Sequence, residues 1–439
     1  MAQDFPHASA LDGIRFTAQI GAPNIIQGLF SKRELPVKIA SRLGAEHSGF
    51  QLVDGLVRKY GPGPFYVRVA KDESLLVTHP DDLKFVLGGS PDPFASDPEP
   101  KVKGMAAFQP DALTISRGDL WAQRRQFADA VLEPDRPVHR LAQSWTGVCA
   151  DAARELAGTP IRWADIDRAY LKVVRRVVLG DSAGDDTRVT DLLGELMADG
   201  NKMPGKPGPQ YPEFIAGIQR YIDKAEPGSL ASQVAAAPTP PGGAAGQMVH
   251  WMFALKANQA ANVLRALAAL ATHPEQQREA RLEVSRADLN TAAGVASLDY
   301  LGGCLLEAMR LWPTVGLLVK VAHRDVEFPS GAVLPEGKQV LIYNVFNHRN
   351  RARIPYADRF SPGEWVSGSA GQDWSFNFFS HGPQNCPGAG ISVFLGQAVM
   401  ANLLNAGPLS VRGVRLDPGK SLPHAVDLYG LSVHAGSRL

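Results

Sequence analysis

Cys386 lies in the segment FSHGPQNCPG, whose residue types suit the presentation of a thiolate to a metal ion such as iron. Gly382 and Gly388 allow close approach of the backbone, and the two prolines of the segment stiffen it. A helix that begins near Gly388 would direct its positive end at the sulfur. The alternative is a buried structural cysteine in a turn, the commoner role of a single cysteine.

Glu307 and Arg310 lie three residues apart in the helical pattern YLGGCLLEAMRLW, so they share one helix face and can form an ion pair. Such pairs are common on solvated helices, but apolar residues surround this one. A buried carboxylate–guanidinium pair requires further partners. Arg359, in the run YADRF, is a candidate for a third member of the group.

The elements that must position these residues are mostly helices. Apolar periodicity and Pro/Gly boundaries predict a long helix over 246–272 and a final helix over 388–405. Of the remaining predicted helices, one ends at 60 and another begins at 80. Several occupy most of 116–228, and two more cover 274–284 and 297–311. Short strands are predicted at 65–69 and 74–78.

Three stretches lack a clear pattern. The first 45 residues are predicted to be irregular, and the Pro-rich stretch 90–112 is predicted to be a loop outside the core that could cover a pocket. Residues 237–243 are predicted to be a loop rather than a domain linker.

Composition excludes several classes of protein. Lys and Arg total 45 against 44 for Asp and Glu, so no global field attracts nucleic acid or an anionic membrane. Three scattered cysteines fit neither a disulfide framework nor a zinc site. The N-terminus lacks the features of a signal peptide, and no apolar run reaches the roughly 18 residues of a membrane span. We therefore expect a cytoplasmic protein without a membrane anchor.

Together the motifs resemble those of the cytochrome P-450 superfamily, and the resemblance extends over nearly the whole chain. The family's Cys loop is matched by Phe379, Gly382, Cys386 and Gly388, and its Glu-x-x-Arg helix by Glu307 and Arg310. Its Arg-Phe meander is matched by Arg359 and Phe360, and its Trp-x-x-x-Arg pattern by Trp121 and Arg125.

The resemblance implies a single-domain triangular fold over residues 1–439, mainly α with small β-sheets, which overrides the two or three domains suggested by length. It implies haem b (iron protoporphyrin IX) between the long helix and the Cys loop, with Cys386 as the iron ligand and Phe379 packed beneath the macrocycle. Glu307, Arg310 and Arg359 would lock the proximal core, and Trp121 and Arg125 would reach a haem propionate. A thiolate ligand favours O–O cleavage.

The long helix departs from the family pattern. Counting back from His273, the family's acid and alcohol are replaced by Ala257 and Asn258, and its glycine by Leu255. Ala257 cannot relay a proton, whereas Asn258 can donate a hydrogen bond to oxygen or to substrate. Leu255 would narrow the space beside the iron.

The predicted propionate site departs as well. Gln384 replaces the family's Arg or His, and Lys320 replaces an Arg, which keeps the charge but loses the bidentate geometry. His381 or His323 could take over, although a polar surface histidine is the commoner role for either.

A hydrophobic or mixed small molecule is the expected substrate. Its candidate pocket residues, each of which could equally be plain core, are Met105, Phe108, Phe253, Ala254, Val315, Leu318 and Val319. Lys256 could meet a substrate carboxylate if it faces inward.

The leading interpretation is a monooxygenase of specialised metabolism that uses dioxygen and a ferredoxin/reductase pair. Arg124, Arg125 and the cluster Arg349, Arg351 and Arg353 could form a basic docking face, or simply a solvated charge run. The alternatives are a peroxide-dependent enzyme, an isomerase or an oxidative coupling enzyme that avoids the usual proton relay, and a catalytically silent haem or ligand-binding protein.

Overall fold

The computed structural model describes residues 4–70 and 72–436, with the backbone alone described at Ala257. Helices dominate, and the strands of the described chain form three small sheets, so the predicted fold class is confirmed.

The N-terminal region is helical where the sequence predicts irregular structure. Its helices are α1 Ala10–Phe16, α2 Ala22–Ile26, α3 Glu34–Arg42, α4 Ala45–Tyr60, α5 Pro80–Gly88 and α6 Glu99–Met105, with a π turn at Thr17–Gly21. The prediction for the first 45 residues is wrong because these helices are short and α3 buries none of its residues. The periodicity that marks a packed helix face is therefore weak.

The Pro-rich stretch 90–112 also differs from its prediction. It contains α6 and a short strand, and it buries Phe94, Met105 and Phe108 in the core. Pro100 occupies the first turn of α6, where proline is tolerated because the N–H that it lacks would have no helical partner.

The main sheet has the strand order β1-β2-β7-β4-β3. The strands are β1 Phe65–Val69, β2 Asp72–Leu76, β3 Phe94–Ala95, β4 Leu317–Ala322, β5 Val326–Glu327, β6 Val333–Leu334, β7 Gln339–Tyr343, β8 Leu409–Arg412 and β9 Ser432–Ala435. β5 pairs with β6, and β8 pairs with β9. Antiparallel pairing of β3 with β4 places Phe94 opposite Ala322. The residues after β3 thus lie beside Lys320.

The central region follows the predicted helical pattern closely. It consists of α7 Gly118–Leu132, α8 Ala142–Leu156, α9 Trp163–Leu179, α10 Thr187–Gly200, α11 Tyr211–Lys224, α12 Ala244–Phe253, a π segment Ala254–Asn258, α13 Gln259–Thr272, α14 Pro274–Val284, α15 Ala292–Ala296 and α16 Asp299–Leu311. The long helix thus runs over 244–272, two residues longer than predicted, and the π segment interrupts its α-helical bonding.

The C-terminal region adds α17 Asn344–Asn347, α18 Gly363–Val366 and α19 Ala389–Ala406. By length and composition α19 could span a membrane, but 61% of its apolar window is buried. It packs against α8 and α16 inside the largest apolar cluster. Its hydrophobicity is therefore that of a core helix.

Candidate haem-thiolate site

The Cys386 loop is held in shape by its own backbone and by α5. The Cys386 N–H donates to the Phe379 carbonyl at 2.7 Å, which closes the loop on itself. Gly382 has φ +69°, and a Cβ there would lie 2.5 Å from the Leu87 carbonyl oxygen at the end of α5. Only glycine satisfies both conditions.

The thiol of Cys386 differs from the other two. Burial raises its pKa, while a backbone hydrogen bond from Gly388 and the Arg125 cation act to lower it. Burial raises the pKa of Cys149 to about 12 and that of Cys304 well above its usual value, and both are fully buried. Cys386 alone of the three retains accessible surface, so it is the cysteine able to ligate a metal ion.

Glu307 and Arg310 form a fully buried ion pair with two hydrogen bonds of 2.7 Å. Every remaining acceptor and donor direction is used: Glu307 accepts from the Ser361 N–H and from the Trp365 indole, both at 2.9 Å. Arg310 donates to the carbonyls of His348, Tyr356, Ala357 and Arg359.

The predicted role of Arg359 is corrected by this arrangement. It joins the group through its backbone carbonyl, 3.0 Å from Arg310 Nη2, whereas its exposed guanidinium bonds the Pro355 carbonyl. A second guanidinium beside Arg310 would bring two like charges together in the interior, where the repulsion is costly.

Arg125 joins α7 to the Cys loop. Its guanidinium donates to the carbonyls of Pro383 and Asn385 at 3.1 and 2.8 Å and to the Asn385 side chain at 2.9 Å, and it pairs with Asp129. Trp121, one turn earlier on α7, is partly exposed. Arg125 therefore contacts the loop on both sides of Gln384.

Lys320 lies at the centre of a buried cationic cluster that also contains Lys101, Ser96 and Gln384. Its ammonium donates to Ser96 Oγ at 2.8 Å and to Gln384 Oε1 at 2.6 Å. Burial, together with repulsion from the Lys101 cation, lowers the pKa of Lys320 to about 7 despite an opposing effect of Asp97. Burial lowers the pKa of Lys101 to about 8. No carboxylate of the described residues forms an ion pair with either lysine, so the cluster is suited to an anion.

The sequence carries no local signal for two members of this cluster, Ser96 and Lys101. Both lie in the stretch predicted to be a loop outside the core, and the β3–β4 pairing that brings them beside Lys320 is not visible in the sequence. The two histidines considered as substitutes have other partners: His323 bonds Asp97 at 3.1 Å, and His381 stacks on Trp374.

The π segment of the long helix carries the residues predicted to lie above the iron. Leu255 is buried, and the side chain of Ala257 lies outside the described part of the structure. Asn258 is partly exposed, and its side-chain amide makes no hydrogen bond to a described residue. The next residue, Gln259, is buried and donates to the Ser392 carbonyl at 2.5 Å, which ties the long helix to α19. The Asn258 amide is thus available to a ligand.

Comparison with known proteins agrees with this arrangement. Residues 247–411 match the family model described as Cytochrome P450. The chain is 35% identical over 125 residues to rat Cytochrome P450 4A10, covering 27% of this chain and 24% of that protein. It is also 35% identical over 140 residues to Cytochrome P450 monooxygenase sphH of Aspergillus fumigatus, covering 28% and 25%. The matches thus span about a quarter of the length of these relatives.

Solved structures extend the similarity to most of the chain. Retinoic acid bound cyanobacterial CYP120A1 superposes with a TM-score of 0.69 at 16% identity, covering 87% of this chain and 93% of that one. A zebrafish cytochrome P450 with progesterone gives 0.67 at 17% identity, covering 82% and 93%. Residues 247–411 thus match the cytochrome P450 family, and the fold over most of the chain is that of cytochrome P450 structures.

The match to the cytochrome P450 family implies haem, and the geometry of the site fits that group. A Cβ at Gly388, beside Cys386, would meet no atom within 4 Å, which leaves room for a flat ligand against the loop. Lys320 has a third ammonium proton beyond its two bonds, and the Gln384 amide N–H₂ makes no hydrogen bond to the described residues. Cys386 would hold the iron, and these donors, with Arg125, are placed to hold propionates.

The predicted pocket residues fall into two groups. The Phe108 and Phe253 rings are 5.4 Å apart, and Ala254, one residue further along the helix, is partly exposed. Met105 is buried near them in the same apolar cluster. These four residues lie together at the N-terminal side of Asn258.

The residues around β4 do not form one wall. Val315 is 45% exposed at the surface, so its assignment to the pocket is wrong. Leu318 and Val319 pack into different apolar clusters because neighbouring strand residues face opposite sides. Only Leu318 shares the face of Lys320.

The predicted basic face is also corrected. Arg124 and Arg349 are buried, with Arg124 bonded to Asp111 and Arg349 to Asp358. Arg351 and Arg353 are paired with carboxylates. Lys256 interacts electrostatically with Asp167 of α9. These arginines stabilise the fold and do not form an unpaired cationic surface.

Proposed function

We propose that this protein is a haem-thiolate monooxygenase that binds haem b and oxidises a hydrophobic or mixed small molecule with dioxygen. The observation that carries the proposal is the Cys386 loop. It presents the one partly accessible thiol of the chain next to an open backbone position and a buried cationic cluster. When bound, haem with a thiolate ligand supplies oxygen activation.

The side chains of this protein support that role in separate ways. Arg125 holds the loop, and the Gly388 N–H stabilises the thiolate form of Cys386. Asn258 supplies an amide that can hydrogen-bond oxygen or water, although it cannot itself act as an acid. Leu255 and the Phe108–Phe253 pair exclude bulk water. Protons would therefore arrive through water held by Asn258.

A second function is favoured by the absence of an acid–alcohol pair at Ala257 and Asn258. A P450 that uses peroxide, isomerises an oxygenated substrate or couples radicals has less need of a proton relay. Asn258 would then orient the oxygenated substrate.

Turnover under two oxidant regimes separates these functions. The purified haem protein is first screened with hydrophobic compounds that shift its Soret band. Each binder is then incubated with NADPH, ferredoxin and ferredoxin reductase, or with hydrogen peroxide alone. A monooxygenase forms product only with the electron donors, and ¹⁸O from dioxygen enters the product. Product from peroxide alone supports the second function, and no product in either regime supports a silent binding protein.

The cellular setting forms part of the proposal. It includes a soluble ferredoxin as electron donor, a cytoplasmic location and a role in specialised metabolism; the unpaired cysteines support the cytoplasmic location. Co-purification with a ferredoxin and fractionation of the native host test these points.

A further inference from the structure

His250 and Gln109 place two polar side chains in an otherwise apolar wall near Asn258. His250 lies on α12, and its Nδ1 is 3.1 Å from Gln109 Oε1. Its ring is 5.9 Å from that of Phe253, which in turn contacts Phe108. The polar pair therefore belongs to the same wall as the predicted pocket residues.

Each member of the pair has an unused hydrogen-bonding atom. His250 Nε2 makes no hydrogen bond to a described residue, and the His250 side chain retains accessible surface. Gln109 is fully buried, and its Nε2 has no partner. An unpaired buried donor is unfavourable and is normally satisfied by a ligand or by ordered water.

The site is electrically neutral. Burial, with a smaller effect of the Lys101 cation, lowers the pKa of His250 to about 4, so the imidazole is uncharged near pH 7. Lys101 offers no free donor, because its three protons point to the Ser96 carbonyl, the Thr114 carbonyl and Thr114 Oγ1. A carboxylate would gain no direct ion pair here.

The π segment brings His250 into line with Asn258. A π turn holds almost one residue more than an α turn, so residues eight apart, rather than seven, lie on one face across this segment. His250 and Asn258 are eight apart. Two turns of about 5.4 Å each separate them by roughly 10 Å along the axis.

We propose that His250 and Gln109 form a subsite for a neutral hydroxyl group of the substrate, which lies roughly 10 Å from the atom that is oxidised. Because Gln109 Oε1 can only accept, His250 Nδ1 carries the proton and Nε2 is an acceptor. A hydroxyl group can donate to His250 Nε2 and accept from Gln109 Nε2 at the same time. The inference rests on the proposed function, because it needs the reacting centre to lie beside Asn258.

Probes anchored at the iron test this subsite without turnover. The probes are 1-alkylimidazoles with tails of about six to twelve methylene groups that end in a hydroxyl, a methyl or a carboxylate group. Their imidazole nitrogen ligates haem iron, and the Soret red shift gives Kd. At one intermediate tail length, the wild-type protein should bind the hydroxyl probe about tenfold tighter than the methyl probe, and tighter than the carboxylate probe.

Variants assign the preference to the subsite. His250→Phe should abolish the tenfold ratio, and Gln109→Met, a milder change, should reduce it. His273→Phe serves as the matched control, since His273 is a buried histidine at the far end of the same long helix, bonded to the Ala269 carbonyl. It should leave the ratio unchanged.

The outcomes separate the two proposals. Equal binding of hydroxyl and methyl probes at every length, tighter binding of the carboxylate probe, or a ratio that persists in both His250→Phe and Gln109→Met overturns the subsite alone. Failure of the wild-type protein to hold haem, or to show a red shift with any probe, overturns the proposed function and the subsite together.

Discussion

At the scale of single residues, burial without a directly paired carboxylate among the described residues gives Lys320 its role. A cation whose pKa is lowered to about 7 becomes fully charged when an anion binds beside it. Haem propionates would provide that anion, so this ammonium group should contribute to haem binding alongside Gln384 and Arg125.

Lys320→Met should therefore weaken haem binding by about tenfold, the effect of losing one charge-assisted hydrogen bond. The rate of haem transfer to apomyoglobin measures this. Lys202→Met, which removes an exposed lysine paired with Asp199, is the control and should transfer haem at the wild-type rate. Equal rates for both variants would contradict the assignment of Lys320.

Asn258→Ala should reduce turnover by about a hundredfold, the lower range for loss of a positioned group in proton delivery. Haem content and the absorption spectrum should stay unchanged, because Asn258 bonds no described residue. Asn402→Ala removes a similar amide from α19, where it bonds the Ala398 carbonyl, and should retain turnover. Wild-type product formation by Asn258→Ala would refute the role of Asn258.

At the scale of elements, the contact between the Cys loop and α5 depends on Gly382. Gly382→Ala must place a Cβ at φ +69° and 2.5 Å from the Leu87 carbonyl. We expect a loss of about 2 kcal/mol or more in unfolding free energy, since left-handed backbone alone costs about 1–3 kcal/mol. Urea unfolding provides the measurement.

Gly147→Ala is the matched control for this variant. Gly147 lies inside α8, where a Cβ would meet nothing within 4 Å. The change should leave stability unchanged or raise it by up to about 1 kcal/mol. A Gly382→Ala protein as stable as this control would show that the loop relaxes away from α5.

The elements also show which features can be predicted from sequence. The long helix and α16 have apolar faces with helical spacing, so both were predicted to within two residues. The π segment cannot be predicted from the sequence, because the composition of residues 254–258 does not distinguish a π turn from an α turn. Ser96 and Lys101 reach the site through strand pairing, which a local pattern does not specify.

At the scale of the whole molecule, several histidines are neutral because they are buried. Burial lowers the pKa of His348 and His424 to about 3 and that of His250 to about 4, from an ordinary value of 6.5. Between pH 6.5 and about 4 the unfolded chain binds protons that the native protein does not. Stability therefore falls as the pH decreases through this window, by up to about 1.4 kcal/mol per pH unit for each histidine.

His348→Phe isolates one of these contributions. The unfolding free energy of the variant should depend less steeply on pH between 6.5 and 4 than that of the wild type, although the loss of the bond to the Arg310 carbonyl lowers its stability at pH 7. Denaturant unfolding at several pH values compares the slopes. Equal slopes would mean that His348 is protonated in the native protein.

The motifs of Cys386 and of Glu307 and Arg310 were recognisable because each needs a fixed local spacing. The role of Arg359 cannot be recognised in this way, since the sequence does not show whether a residue contributes its side chain or its backbone carbonyl. Val315 is apolar, yet it lies at the surface two residues before β4 begins, and the sequence does not show this exposure.

The axial ligand of the iron is the most direct test of the whole account. The Soret band of the reduced, CO-bound protein should lie at the long wavelength typical of thiolate ligation. Cys149→Ala and Cys304→Ala should keep this band, and Cys386→His should replace it with the shorter-wavelength band of imidazole ligation. A wild-type band of the imidazole type, or a thiolate band that survives in Cys386→His, would contradict the assignment of Cys386 as the ligand.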